Sequence, residues 1–284
     1  LFDNSMSGIS LTDCLDSNVN GNSVSQSAYG IELSSSNATF VVGNTASDNS
    51  YGIYIENSHN NTVDSNIMLR NRVDGILPAS SYDIMIKNNQ ISQSAYGIQL
   101  YQSNTITVLA NTATYNSYAV YLAYSNPSNK LVNNTLSEND WGITLYDSSS
   151  NTITGNTISH NTYGIDTATD SSVNAIYHNN FIENVQQAVW NPYFGNTWDN
   201  GYPSGGNHWS DYVGVDLHSG VYQNKIGRDG IGDIAYTIDA NNTDHYPLMT
   251  SYSSIYQGDL FLTDNDIYAI EGRFDINGSI IVEE

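Results

Sequence analysis

Short runs in which apolar and polar residues alternate recur along the first two thirds of the chain, among them "YGIEL" from Tyr29, "YGIYI" from Tyr51, "YGIQL" from Tyr96 and "WGITL" from Trp141. Alternation over four to six residues is the pattern of a β-strand with one face buried. The small residue of each run falls at Gly8, Gly30, Gly52, Gly75, Gly97, Ala119, Gly142 and Gly164, in steps of 22 or 23. Ile or Val follows it each time, and two positions further on stand Leu11, Leu33, Ile55, Leu100, Leu122 and Leu145. A second column, read as Asn22, Asn44, Asn66, Asn89, Asn111, Asn134, Asn156 and Asn180, keeps the same phase. Between the two columns lie short β-rich pieces such as "NTITGN", and no apolar stripe of helical length occurs.

Self-similarity at such a period marks a solenoid. A leucine-rich repeat would carry a Leu scaffold with one Asn per unit. Here Ile and Val fill the inward positions and Asn recurs at turns, where its amide can bond both the turn backbone and the next Asn in a ladder. The pattern therefore predicts an all-β fold, a parallel β-helix of about 22 residues per coil and 8 to 9 coils. With coils stacked ~4.8 Å apart, eight of them make a rod of roughly 40 Å.

Before the small residue stand Tyr29, Tyr51, Asp74, Tyr96, Tyr118, Trp141 and Tyr163, an aromatic column broken once. The break lies in "RNRVDGI", which brings Arg70, Arg72 and Asp74 together and makes them the catalytic candidates of the rod. Cleavage of sugar chains on a β-helix needs an acid and a base or nucleophile from adjacent coils. The matching places beside Asp74 hold Tyr51 and Tyr96 instead of a second carboxylate. Column arithmetic also gives the cations structural partners: Arg70 one coil from Asp48, Lys87 from Asp64, and His160 from Glu138. Pairing of this kind favours a non-catalytic rod. Outward positions carry Tyr54, Tyr101, Tyr121 and Tyr146, which can stack on sugar rings or cover a sheet or a neighbouring molecule.

Charge narrows the partners. The 284 residues include 7 Lys and Arg against 29 Asp and Glu, a formal net charge of -22. Such a surface repels nucleic acid and anionic lipid and attracts cations such as Ca²⁺. No stretch reaches the 18 or so apolar residues of a membrane span. The single cysteine, Cys14, excludes an internal disulfide and falls in a column otherwise held by Ser36, Ser58, Ser81 and Ser103. The six His form no pair at metal-ligand spacing. Sequons at Asn37, Asn60, Asn133, Asn241 and Asn277 suit an exported glycoprotein, although Asn, Ser and Thr are common enough to produce some by chance.

The repeat divides the chain into a β-helix over 1–190, a Trp-, Asp- and Gly-rich cap over 191–250 and a β-strand tail over 251–284. Trp190, Trp198, Trp209, Tyr212 and Tyr246 supply the bulk that a coil end needs for its cover. Asp211, Asp216, Asp229 and Asp233 lie among Gly-rich turns, where they either wrap a Ca²⁺ ion or accept turn N–H groups. "GGNHWSDYVGVD", "GRDGIGD" and "YTIDANNTDHYPLM" resemble the terminal motif of NosD-like, CASH-type β-helix repeat proteins of archaeal type. That resemblance spans about Ser7 to Met249. It implies a right-handed β-helix, an extracellular or cell-surface setting and roles in polysaccharide binding or processing. The segment "LHSGVYQNKIGR" is longer than its counterpart in that pattern.

The tail alternates like strands, and the first coil presents a β edge. Together they predict self-association head to tail, with the tail strands of one copy covering the first coil of the next, or a chain that is a piece of a larger surface protein. The functional expectation is an extracellular structural or adhesive protein assembling end to end as a filament, sheath or surface layer. The alternative is a polysaccharide-binding or polysaccharide-cleaving β-helix, a lyase, hydrolase or epimerase.

Overall fold

The structure, a computed structural model, describes residues 5–189 and 195–253, and the backbone of four short strands beyond. It is a parallel β-helix. Three sheets run along the rod, two of nine strands and one of eight, and each strand pairs with the strand one coil earlier and one coil later. The first sheet, called the broad sheet below, contains the six-residue strands Tyr29–Ser34, Tyr51–Glu56, Asp74–Ala79, Tyr96–Tyr101, Tyr118–Ala123, Trp141–Tyr146 and Tyr163–Ala168, with Ser7–Thr12 and Gln186–Ala188 at its edges. The other two sheets use three-residue strands. No helix among the described residues is long and apolar enough to cross a membrane.

Register explains the columns. Ile31 lies opposite Ile53 and Leu33 opposite Ile55, so like stacks on like through the rod, and all four are fully buried. The small residue turns the corner into the broad sheet. A Cβ at Gly30 would come 2.6 Å from the Gly52 carbonyl oxygen and 3.0 Å from the Ala46 methyl. The corner therefore selects glycine by close approach.

Asparagine does more than hold one set of turns. Asn44 N–H donates to Asn66 Oδ1 (2.8 Å), its amide donates to the same oxygen and to the Val19 carbonyl, and the pattern repeats rung by rung. The eighth rung corrects the sequence reading: Asn156 donates to Asn179, while Asn180 enters the next strand and pairs with Thr157. Two further Asn ladders were not read from the sequence, Asn129–Asn151–Asn174–Asn196 and Asn116–Asn139–Asn161–Asn184. Cys14 opens the serine ladder as its column implied, its N–H donating to Ser36 Oγ and Ser36 N–H to Ser58 Oγ.

The ladders run on into the cap. Asn179 donates to Asn207, and Asn207 N–H donates to the Asp244 carboxylate (2.7 Å), which takes the place of the next Asn. Asn196 N–H likewise donates to Asn242. Trp209 stacks between Phe181 and Tyr236, at 4.3 Å from each, and donates its indole N–H to Asp244. Trp198 is buried beside it. Trp190 lies outside the described residues. Beyond Ser253, Ile255–Gln257 pairs in parallel with Asp275–Asn277, and Leu260–Leu262 with Ile280–Val282.

Candidate functional site

The outer face of the broad sheet concentrates the chemistry of the rod. Tyr29 and Tyr51 stack at 5.1 Å, Tyr96 and Tyr118 at 5.1 Å, and Trp141 stacks on Tyr118 and Tyr163. Tyr54 leans on Tyr29 and Tyr51, and Tyr121 on Tyr96 and Tyr118, so two three-tyrosine clusters flank the coil of Asp74. Burial pushes the hydroxyls of Tyr54 and Tyr121 up to about 12. Both tyrosines serve first as packing. Their rings cover their neighbours' faces.

Tyr101 and Tyr146 behave differently. Each meets Tyr124 edge to face, with ring centroids 6.1 and 5.5 Å apart. Tyr101 and Tyr124 are exposed, at 37% and 45%. Edge-to-face contact leaves ring faces uncovered that parallel stacking would hide. Tyr124 was not singled out in the sequence because it stands one position past the strand, off the column that holds Tyr101 and Tyr146.

Asp74 faces Tyr51 on one side and Tyr96 on the other. Its carboxyl is 1% exposed, and neither oxygen has a hydrogen-bond partner. Burial pushes it up to about 8, so the acid is largely neutral at physiological pH. The coil is unusual along its whole strand. Leu77 and Ala79 occupy outward positions yet are only 8% exposed, and Pro78 removes a backbone donor from the ladder. On the side of Tyr96–Tyr101 its register keeps three partners, against five on the side of Tyr51–Glu56. Four coils on, Asp166 sits in the central outward column, pushed up to about 6 by burial, beside Thr144, whose buried hydroxyl has no partner.

The three catalytic candidates are not brought together as one set. Arg70 forms a two-pronged pair with Asp48 (2.8 and 2.9 Å), as its column implied. Arg72 is exposed and donates to the Ser50 hydroxyl (3.3 Å). Asp74 stands alone. Lys87 pairs with Asp64 at 3.4 Å, also as expected. His160 corrects the reading: its partner is Glu183, one coil further along, at 3.0 Å, and not Glu138. The column fixes two acidic neighbours for His160, and sequence spacing does not choose between them.

The four cap aspartates are spread over separate turns. Asp216 accepts from the N–H groups of Asp229 and Gly230, Asp229 from Gly220 and Ile231, and Asp233 from Leu217 and His218. Asp211 accepts from the Tyr236 hydroxyl. A Cβ at Gly214 or Gly232 would collide with the Tyr212 hydroxyl, so these glycines let that ring lie between the two turns. Of the sequons, Asn60, Asn133 and Asn241 are exposed, Asn37 is half-buried and accepts from His59 N–H, and Asn277 lies in a strand whose backbone alone is described.

The model of the family described as periplasmic copper-binding protein (NosD) matches residues 2–140 and again 122–214. The chain belongs to this family. Among the described residues of this NosD-family protein, no three His, Cys, Asp or Glu side chains gather as a metal-holding group. No curated protein matches the chain. Among solved structures, the A-module of the Azotobacter vinelandii mannuronan C-5 epimerase AlgE6 is similar, with 16% identity and a TM-score of 0.55 over 64% of this chain and 57% of that one. A double mutant of the periplasmic alginate epimerase AlgG gives 15% identity and a TM-score of 0.50 over 100% of this chain and 74% of that one. At such identities the likeness is one of fold. The chain spans little more than half of the first of these modules.

Proposed function

We propose that this protein is an extracytoplasmic polysaccharide-binding β-helix whose contact surface is the outer face of the broad sheet. The observation that carries the reading is the trio Tyr101, Tyr124 and Tyr146, three rings on successive coils in edge-to-face contact. Rings 6.1 and 5.5 Å apart along a rigid rod suit a chain of pyranose units, whose C–H faces stack on aromatic rings. The extracytoplasmic setting is supported by the family's description as periplasmic and by the periplasmic epimerase among the neighbours in fold.

At Asp74, binding is favoured over hydrolysis by carboxyl spacing. Glycosidases place their two carboxyls within about 10 Å of each other. Asp74, the fully buried acid of this face, has no such partner: Asp166, half-buried, is four coils away, ~19 Å along the rod, and Glu32 and Glu56 stand three and five positions further along the strand direction, ~10 Å or more. The test is retention on a panel of insoluble and soluble glycans. Wild-type protein should be retained by at least one, and replacing Tyr101, Tyr124 and Tyr146 by Ala should weaken retention at least tenfold at unchanged melting temperature. Equal retention of that variant would refute the reading.

End-to-end assembly is a second proposal. Its support is the pair of exposed apolar side chains on the first coil, Met6 and Leu15, 72% and 67% exposed. Light scattering should then show concentration-dependent polymers that Met6→Asp and Leu15→Asp dissolve; a monomer at all concentrations would dismiss it.

A further inference from the structure

The broad sheet has a charge pattern that decides which polysaccharides it can hold. Its nine strands contain no Lys or Arg, whereas Glu32, Glu56, Asp74 and Asp166 all stand at outward positions. The cations of the neighbouring coils are committed to partners: Arg70 to Asp48, in the turns that follow strands Ile67–Leu69 and Thr45–Ser47, and Lys87 to Asp64, on the eight-stranded sheet. Arg72, at the corner before Asp74, donates to Ser50. Lys130 begins a strand of the eight-stranded sheet. The whole molecule carries -22.

Resting on the polysaccharide reading above, we infer that the ligand of this face is an uncharged glycan and that polyuronates are excluded from it. Carboxylate-bearing sugars are gripped by guanidinium or ammonium donors, and an anionic chain laid on carboxylates without them is repelled. Neutral hydroxyls ask for the opposite inventory: ring faces for their C–H surfaces, and groups that both donate and accept. Gln99, paired with Tyr121 in the central outward column, supplies both from its amide. Asp74, 1% exposed between the strands of Tyr51 and Tyr96 and in its acid form, adds no charge to the face. The inference separates this face from any that binds mannuronan or alginate, both polymers of uronic acid, despite the shared fold.

The experiment is affinity electrophoresis of the full chain at physiological ionic strength. The gels contain dextran, glucomannan or hydroxyethyl cellulose on one side and alginate or polygalacturonate on the other. Gln99→Lys, which places a cation on the face, runs beside the wild type. The expected result is retardation of the wild type by at least one neutral polymer and by neither polyuronate, with Gln99→Lys gaining polyuronate affinity at least fivefold at low salt. Stronger retardation by a polyuronate than by every neutral polymer would overturn the inference while leaving polysaccharide binding intact, and a Gln99→Lys variant that gains nothing would overturn its electrostatic cause. Retardation by no polymer at all would sink the polysaccharide reading itself.

Discussion

Asp74 is where residue chemistry and repeat part company. Every coil from Tyr29 to Tyr163 places an aromatic ring in this column except one, and there the substitute is a carboxyl without a partner. Burial raises its proton affinity in the folded state, to about 8 from an ordinary 3.8. The folded protein thus holds the proton more tightly than the unfolded chain across that window, and stability falls as pH rises through it, by ~1.4 kcal/mol per pH unit for one such group. Asp74→Asn, isosteric and uncharged, should therefore raise the melting temperature most at pH 8 to 9, less at pH 5, and leave it nearly unchanged below about pH 4. A melting temperature equally shifted at all three would show that packing, not ionisation, governs the site. The break in the column was legible in the sequence; the depth of the carboxyl was not, because it depends on Tyr51 and Tyr96 closing over a side chain too short to reach between them.

At the scale of elements, ladders hold the rod. Asn111 sits in the middle of one, fully buried, with its amide donating to Ile86 and Asn134 and its oxygen accepting from Asn89. Asn111→Ala strands several buried polar groups, each costing about 1 to 3 kcal/mol, so chemical denaturation should register a loss of about 3 kcal/mol or more. A loss below about 1 kcal/mol would mean that the ladder is incidental. The spacing of 22 or 23 made one Asn column visible, because its rungs follow recognisable strands. The other two were hidden by Thr39, Ile106, Ser27 and Ser94, residues that stand where Asn would and only donate their N–H to the Asn of the next coil. The slip from Asn179 to Asn180 has the same origin: two Asn stand side by side, and only the register says which one turns inward.

At the scale of the molecule, the acid balance sets the conditions under which the rod is stable. Asp74, Asp166 and Asp244 are raised to about 8, 6 and 7, each chiefly by burial. For Asp244 three hydrogen bonds, from Asn207, Trp209 and Tyr246, pull the other way without reversing the sign. From about pH 4 upward all three make the fold lose stability, Asp166 until about 6, Asp244 until about 7 and Asp74 until about 8, and self-repulsion at -22 adds to the trend. Thermal melts should thus peak on the acid side, near pH 5, and decline toward pH 8; a maximum at pH 8 would contradict the assignment. In the cap, three of the aspartates expected to hold Ca²⁺, Asp216, Asp229 and Asp233, already accept N–H bonds from the turns around them, and Asp211 accepts from the Tyr236 hydroxyl. An unchanged melting temperature on adding a chelator is the expected result, and a fall of several degrees would show that an ion shares those oxygens.

The functional claim rests on the outer face, and ring signals report on it directly. An NMR titration with a neutral oligosaccharide, following the aromatic resonances of Tyr101, Tyr124 and Tyr146, should show the three moving together on one binding curve while those of Phe181, Trp209 and Tyr236 in the cap stay fixed. Rings of the trio that do not move, with shifts confined to the cap or absent, would contradict the account.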